Sequence, residues 1–221
     1  MKKVFEQFKD GFTLAEVLIT LVIIGVVAAL TVSPIINTYV ESSTVAKVKK
    51  GLSILGQAKK LAETQNGSVD GWDFGGYTPE SAAQFWSYLK PHISVAKDCG
   101  ADTSCYQNSG IYDLNGNYHN NYNADDHYYK FVLADGGVMW FGIYGGKCTQ
   151  ELSDFVKNVC GNFVYDVNGD KKPNTYGRDV FAYSFTVDGV FPYPADDCNK
   201  NSSGLGCASY IIKHNNMKYL H

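Results

Sequence analysis

The sequence lacks an excess of positive charge. Its 221 residues contain 19 Lys and Arg against 22 Asp and Glu, which gives a formal net charge of −3. Nucleic-acid binding depends on Lys and Arg side chains that neutralise phosphates. The charge balance therefore argues against nucleic acid as the main partner.

Signatures of catalysis and of zinc binding are also missing. No segment resembles a nucleophile elbow, a phosphate-binding loop or a catalytic Cys–His arrangement. No Cys-x-x-Cys spacing occurs, and the five histidines are scattered. His119 and His127 lie near Asp125 and Asp126 in an Asn-rich segment, which is typical of a solvated loop. The sequence therefore predicts a protein that is not an enzyme.

Charge is absent altogether from Val17 to Ile36. As a helix, this run of about twenty residues would be roughly 30 Å long and would span a membrane. A secretory signal peptide is one alternative, but its apolar core has only about 7–15 residues. An ordinary single-pass anchor is the other. Glu16 directly precedes this uncharged run. A carboxylate in an apolar helix needs a partner of opposite charge, and an amine is the nearest candidate.

The residues Gly11-Phe12-Thr13-Leu14-Ala15-Glu16, with Gly25 inside the apolar run, resemble the N-terminal signal of type IV pilins and type II secretion pseudopilins. The resemblance implies that residues 1–11 are a leader, which prepilin peptidase removes after Gly11. It also implies N-methylation of Phe12, and pairing of Glu16 with the amine of a neighbouring subunit during filament assembly. Pro34 departs from the pattern, because the family's helix-kinking proline stands one residue earlier, where this chain has Ser33.

The resemblance also implies where the chain works. Residues 12–36 would be a single-pass anchor in membrane lipid of the inner membrane, and later the filament core. Its partners would be other pilin or pseudopilin subunits and the inner-membrane assembly platform. The head, residues 66–221, would lie in the periplasm or, after assembly, on the cell surface.

A helical pattern continues beyond Pro34, which predicts one long helix over 12–65 that ends at Asn66-Gly67. One apolar face recurs at steps of three and four residues, at Val45, Val48, Leu52, Leu55, Ala58 and Leu61. A basic cluster on the same stretch is interpreted as the solvated or filament-facing side, and it comprises Lys47, Lys49, Lys50, Lys59 and Lys60.

The helix and strand signals over residues 66–221 predict a globular head. Thr78 caps a short helix over 79–89. Strand-like runs over 129–134 and 138–144 flank a glycine turn, and two more over 179–187 and 190–193 flank Asp188-Gly189. We therefore expect an α+β fold, pilin-like, in which a small antiparallel sheet packs on the long helix. The stretch 208–214 is left open between helix and strand, and three tryptophans are interpreted as core or surface aromatics: Trp72, Trp86 and Trp140.

Six cysteines follow the apolar run in three close pairs, Cys99 with Cys105, Cys148 with Cys160, and Cys198 with Cys207. Fifteen pairings are formally possible, and short-range closure is the one we expect. Each small loop would add about 2–3 kcal/mol of stability. Disulfides form in oxidising compartments, which agrees with an exported head.

One loop of the head has the composition of a cation site, with candidate ligands Asp166, Asn168, Asp170 and Asp179. Calcium prefers oxygen ligands of this kind. The loop is not an EF-hand, because Gly169 precedes Asp170 and no glutamate closes it. In character it resembles the calcium-binding C-terminal loop of major pseudopilins. The alternative is an Asn-Gly turn held by side-chain hydrogen bonds without a metal, and we expect a plain turn over 113–117.

The sequence thus predicts a structural subunit of a type II secretion pseudopilus or a type IV pilus-like filament. The alternative is a minor pilin at a filament tip that serves adhesion, partner binding or DNA uptake. Calcium is the only cofactor expected.

Overall fold

The computed structural model describes residues 11–105, 110–169, 171–195 and 198–221. The chain divides into two compact units, Met1–Glu41 and Ser42–His221. Helix α1 (Leu14–Asn66) runs through both of them and continues unbroken past Pro34. It ends at Asn66 as predicted, where Gly67 adopts a φ of +77° and its N–H donates to the Glu63 carbonyl at 2.9 Å. A left-handed glycine is a common helix stop.

The second unit contains an antiparallel sheet. The described residues of this unit form the strands β1 (Val95–Gly100), β2 (Ile111–Tyr112), β3 (Tyr118–Asn120), β4 (Tyr129–Leu133), β5 (Val138–Ile143), β6 (Val159–Asp166), β7 (Val180–Thr186) and β8 (Val190–Pro192). Six strands form one sheet in the order β1-β4-β5-β6-β7-β8, and β2 pairs with β3 separately. The predicted hairpins are β4–β5 and β7–β8. The α+β class with a long helix and an antiparallel sheet is confirmed.

Two further helices pack on this unit. Helix α2 (Pro79–Leu89) begins where predicted, and the Thr78 hydroxyl accepts a hydrogen bond from the Ser81 N–H at 3.2 Å. One face of α2 is apolar and buried, with Ala82, Phe85, Trp86 and Leu89. Residues 208–214, which the sequence left open between helix and strand, belong to helix α3 (Cys207–His214).

One face of the sheet packs against the second part of α1. The Tyr183 hydroxyl donates to the Val48 carbonyl at 2.8 Å, which ties β7 to the helix. Gly51 permits this approach, because a Cβ there would lie 2.8 Å from Cδ1 of Tyr165. The packed face of α1 follows the predicted pattern through Ala58, but Leu61 is 51% exposed and Ala62 is buried. A repeat of 3.6 residues per turn requires a step of four at this point, so the prediction for Leu61 was wrong.

Three lysines of the predicted basic cluster are solvent-exposed as expected, Lys49, Lys50 and Lys60, whereas Lys59 is buried. Lys59 is 5% exposed, and its Nζ donates to Glu63 and to the Val187 carbonyl at 2.8 Å. Three others also contact the head: Lys47 the Val167 carbonyl, Lys49 Asn215, and Lys50 Asp135. A lysine can bury its aliphatic stem while its ammonium group reaches an acceptor. Three of these cations therefore hold α1 to loops of the sheet, and Lys49 holds it to the residue that follows α3.

The opposite face of the sheet is also buried, and sequence reasoning missed this layer. Trp140, Val164 and Ala182 lie there beneath the segment between β1 and β4, with Ile111 and Tyr122 among the covering residues. Strands β5 and β7 are consequently buried along their whole length. All three tryptophans are buried, so they are core residues.

Candidate functional sites

The first candidate site is the start of α1. The Glu16 carboxylate accepts hydrogen bonds from the Thr13 N–H at 2.9 Å and the Thr13 hydroxyl at 2.8 Å, while the Glu16 N–H donates back to that hydroxyl at 3.2 Å. This reciprocal pattern is a capping box. It draws the carboxylate back to the residue next to Phe12. Sequence reasoning missed it, although Thr-x-x-Glu before an apolar run is its signal.

The surface that follows is apolar and uncovered. Phe12 is 87% exposed, and the large apolar residues of α1 from Val17 to Ile36 are all exposed. By length and composition α1 is able to cross a membrane, and its most apolar stretch is not buried. This separates it from the core helix of a soluble protein, because a core helix is covered by its own fold.

The second candidate site is the loop between β6 and β7, in which Asn168 donates hydrogen bonds to both Asp166 and Asp179. Asp166 accepts from the N–H groups of Asn168 and Gly169 at 3.1 and 3.0 Å. The Asn168 side-chain amide donates to Asp179 at 3.0 Å. Asp166 and Asp179 are 0% and 3% exposed. The turn that the sequence offered as the alternative to a metal site is therefore present.

The same loop carries oxygen atoms of the kind that Ca²⁺ prefers as ligands. Burial raises the pKa of Asp179. Hydrogen bonds to its carboxylate from the N–H groups of Thr175 and Asn174 and from the side-chain amide of Asn168 lower the pKa, but by less than burial raises it. The side-chain oxygens Oδ1 of Asn168 and Asn174 are buried, with no hydrogen-bond partner in the described part of the chain. Two carboxylates and two open amide oxygens fit the preference of Ca²⁺. Asp170 lies outside the described residues.

The six cysteines form three disulfides: Cys99–Cys105, Cys148–Cys160 and Cys198–Cys207. The Cys148–Cys160 bridge is buried and joins the segment after β5 to β6. The Cys198–Cys207 bridge ties the first residue of α3 to the preceding loop. All three bridges close short loops within the second unit.

Two histidines lie next to carboxylates, His119 in β3 and His127 in the segment between β3 and β4. His119 Nδ1 lies 2.7 Å from Asp113, and the segment 113–117 closes as a turn through the Asp113 N–H and the Asn117 carbonyl at 2.8 Å. His127 lies beside Asp125 and Asp126, and the ligand atoms of this trio are within 4.8 Å of one another. His127 and Asp126 are exposed, so this trio is a solvated cluster.

Comparison with known proteins adds one result. Residues 8–32 match the prokaryotic N-terminal methylation motif, the hallmark of the prepilin-type cleavage of type IV pilins and pseudopilins. The match confirms the resemblance drawn from Gly11 to Glu16, and it supports a pilin-like subunit that is processed at its N-terminus. No curated protein and no solved structure matches the chain.

Proposed function

We propose that this protein is a structural subunit of a type II secretion pseudopilus or a type IV pilus-like filament. The observation that carries the proposal is a methylation motif over 8–32 that extends into α1, a helix whose apolar surface is uncovered between Val17 and Ile36. Prepilin peptidase removes residues 1–11, and Phe12 becomes the methylated N-terminus. The helix then anchors the subunit in the inner membrane until it joins other subunits through the assembly platform.

The exposed apolar residues support this order of events. Burying apolar surface contributes about 25 cal/mol per Å², and lipid or neighbouring helices are the two environments that can cover a helix of this length. The capping box holds the Glu16 carboxylate one residue from Phe12. In the filament, that carboxylate accepts the amine of an adjacent subunit, where low dielectric strengthens the pair.

The proposed orientation puts the second unit in the periplasm, or on the cell surface after assembly. Three disulfides support this placement, because such bridges persist in oxidising compartments and are rare in the cytosol. We also propose that the loop between β6 and β7 binds Ca²⁺ as a structural ion, held by Asp166, Asn168, Asn174 and Asp179. A bound cation would neutralise the two buried carboxylates.

A second candidate function is a scarce subunit at the filament tip that binds a partner. A tyrosine-lined cavity in the head favours it. Abundance separates the two, because a major subunit makes up most of the filament mass. Quantifying the chain in purified filaments distinguishes them.

The test of processing is the intact mass of the full chain extracted from its host membrane, with fragmentation of the N-terminus. We expect a species that begins at Phe12 and carries one methyl group. The matched variant is Gly11→Val, which should stay uncleaved; a Cβ at Gly11 would meet no atom within 4 Å, so the fold is undisturbed. A wild-type species that retains Met1, or is cut after the apolar run, would refute the filament assignment.

A further inference from the structure

A cavity of about 250 Å³ opens on the face of the sheet that points away from α1. Its floor is made by Gly142, Val164 and Ala182, from β5, β6 and β7. Trp140 pairs with Val164, and Val164 pairs with Ala182 across the strands. Because alternate residues of a strand point to opposite faces, Gly142 shares the face of Trp140. The floor is therefore flat and built from small or medium side chains.

Aromatic rings form the walls. Six tyrosines line the cavity: Tyr77, Tyr122, Tyr128, Tyr144, Tyr176 and Tyr193. The rings of Tyr122 and Tyr128 meet edge to face at 4.6 Å between centroids, and Tyr77 meets Tyr128 at 6.1 Å in the same manner. The Tyr176 hydroxyl donates to that of Tyr122 at 3.2 Å. These mutual contacts hold the walls in place without a ligand.

Gly142 is required for this arrangement. A Cβ at this position would lie 3.0 Å from Cε1 of Tyr128 and 3.2 Å from Cε2 of Tyr77. The missing side chain lets both rings lie over the floor. Tyr77 and Tyr144 are 43% and 41% exposed, so the cavity is open to solvent between them.

The cavity is polar but carries little charge. Among its described lining residues there is no Lys, Arg, Asp or Glu, and His119 is paired with Asp113. Burial raises the pKa of Tyr144 to about 12 and also raises that of Tyr128. These two phenol groups are therefore neutral at physiological pH, and a neutral tyrosine hydroxyl is able to donate and accept a hydrogen bond.

We propose that this cavity binds one neutral sugar ring of a glycan. A pyranose presents a face of C–H groups, which carry partial positive charge and pack on the negative faces of aromatic rings. Its hydroxyls match the hydroxyls of the tyrosines and the amide of Asn162, which also lines the cavity. Apolar walls with a few convergent polar groups are typical of small-ligand sites.

Other ligand classes fit less well. An anion would find no Lys or Arg among the described lining residues, and His119 there already contacts the Asp113 carboxylate. A quaternary ammonium group would gain from the ring faces, but it offers no hydrogen bond to the hydroxyls, and no described carboxylate lines the cavity. The sugar uses both the rings and the hydroxyls. This inference does not rest on the filament proposal, because the cavity lies wholly in the second unit.

The test is saturation-transfer NMR on the full chain in a polyoxyethylene detergent, which carries neither a sugar nor an ammonium group. The probes are the methyl glycosides of glucose, galactose, mannose and N-acetylglucosamine, with tetramethylammonium as the competing class. We expect saturation of the ring C–H protons of at least one glycoside. Tyr77→Ala should weaken its binding by about tenfold or more, and Gly142→Val should abolish it by pushing the rings apart.

The matched control is Tyr118→Ala, which removes a tyrosine that is 59% exposed and does not line the cavity. The Tyr118→Ala variant should bind the glycoside as tightly as the wild type does. A further variant, Tyr144→Phe, should bind it more weakly because one hydroxyl is lost. Thermal melts of each variant verify folding. The proposal is overturned by the absence of transfer to every glycoside, by equal binding in folded Tyr77→Ala, or by transfer to tetramethylammonium alone.

Discussion

Glu16 has a hydrogen-bonding role within its own chain and a proposed ionic role toward a neighbour, and substitution separates them. The capping box needs an acceptor that reaches Thr13, which Gln supplies as well as Glu. Only Glu supplies the negative charge that an amine requires. We therefore expect Glu16→Gln and Glu16→Ala to be cleaved normally but to reduce filament yield at least about tenfold, which corresponds to 1.4 kcal/mol or more of lost pairing.

The matched variant is Thr13→Val, which removes the hydroxyl of the cap and keeps the carboxylate. Loss of a cap costs about 1 kcal/mol of helix stability, but the intersubunit pair survives, so filaments should form. The measurement is filament mass per cell together with the ratio of cleaved to uncleaved chain. Normal filaments from Glu16→Gln would contradict the ionic role.

Individual residues were predicted well where their surroundings are local. Thr78 precedes a proline and an apolar stripe within a few residues, and it caps α2. Lys59 was misplaced because the acceptor that explains its burial, the Val187 carbonyl, is 128 residues away. The predicted burial of Leu61 was wrong for a geometric reason, because one extra residue along a helix rotates the side-chain position by about 100°.

At the scale of elements, strands next to a tight turn were predictable and the central strand was not. The β4–β5 and β7–β8 hairpins have glycine turns that the sequence displays. Strand β6 is buried on both faces along most of its length, so it lacks the alternation of a half-exposed strand. Its last residue, Asp166, was also assigned to the cation loop. The edge strand β1 was missed because half of its residues are exposed and none is fully buried, so it shows no apolar run.

The loop between β6 and β7 supports a prediction at this scale. If Ca²⁺ binds there, a chelator should lower the melting temperature of the full chain. A ligand at one hundred times its dissociation constant stabilises a fold by about 2.7 kcal/mol. For a chain of this size that corresponds to a shift on the order of 5–10 °C. The measurement is thermal unfolding in excess chelator and in excess Ca²⁺.

The variant for this test is Asp179→Asn, which removes one buried carboxylate. We expect it to lose most of the difference between the two melts. Its control is Asp113→Asn in the turn over 113–117, which should retain the full difference because that turn is closed by backbone contacts. Equal wild-type melts with and without chelator would leave only the hydrogen-bonded turn.

The whole molecule combines an uncovered apolar helix with a sheet that is buried on both faces. The resemblance at residues 11–16 predicted the first part, because the signal is contiguous in sequence. The second layer of the sheet was not predicted, because it depends on contacts between residues that are distant in sequence. One example is Tyr122 against Trp140, whose ring centroids are 5.5 Å apart. The cavity belongs to this layer, and so it was also missed.

The proposed orientation of the whole chain makes a prediction about its thiols. An exported head keeps all six cysteines in disulfides, whereas a cytosolic head would be reduced. We expect a maleimide reagent to label no cysteine of the denatured, unreduced chain from host membranes, and to label all six after reduction. Cys148→Ser is the positive control, because it frees Cys160 and should add one labelled site without reduction. Labelling of the unreduced wild type would place the head in a reducing compartment and contradict the periplasmic assignment, whatever the N-terminal mass shows.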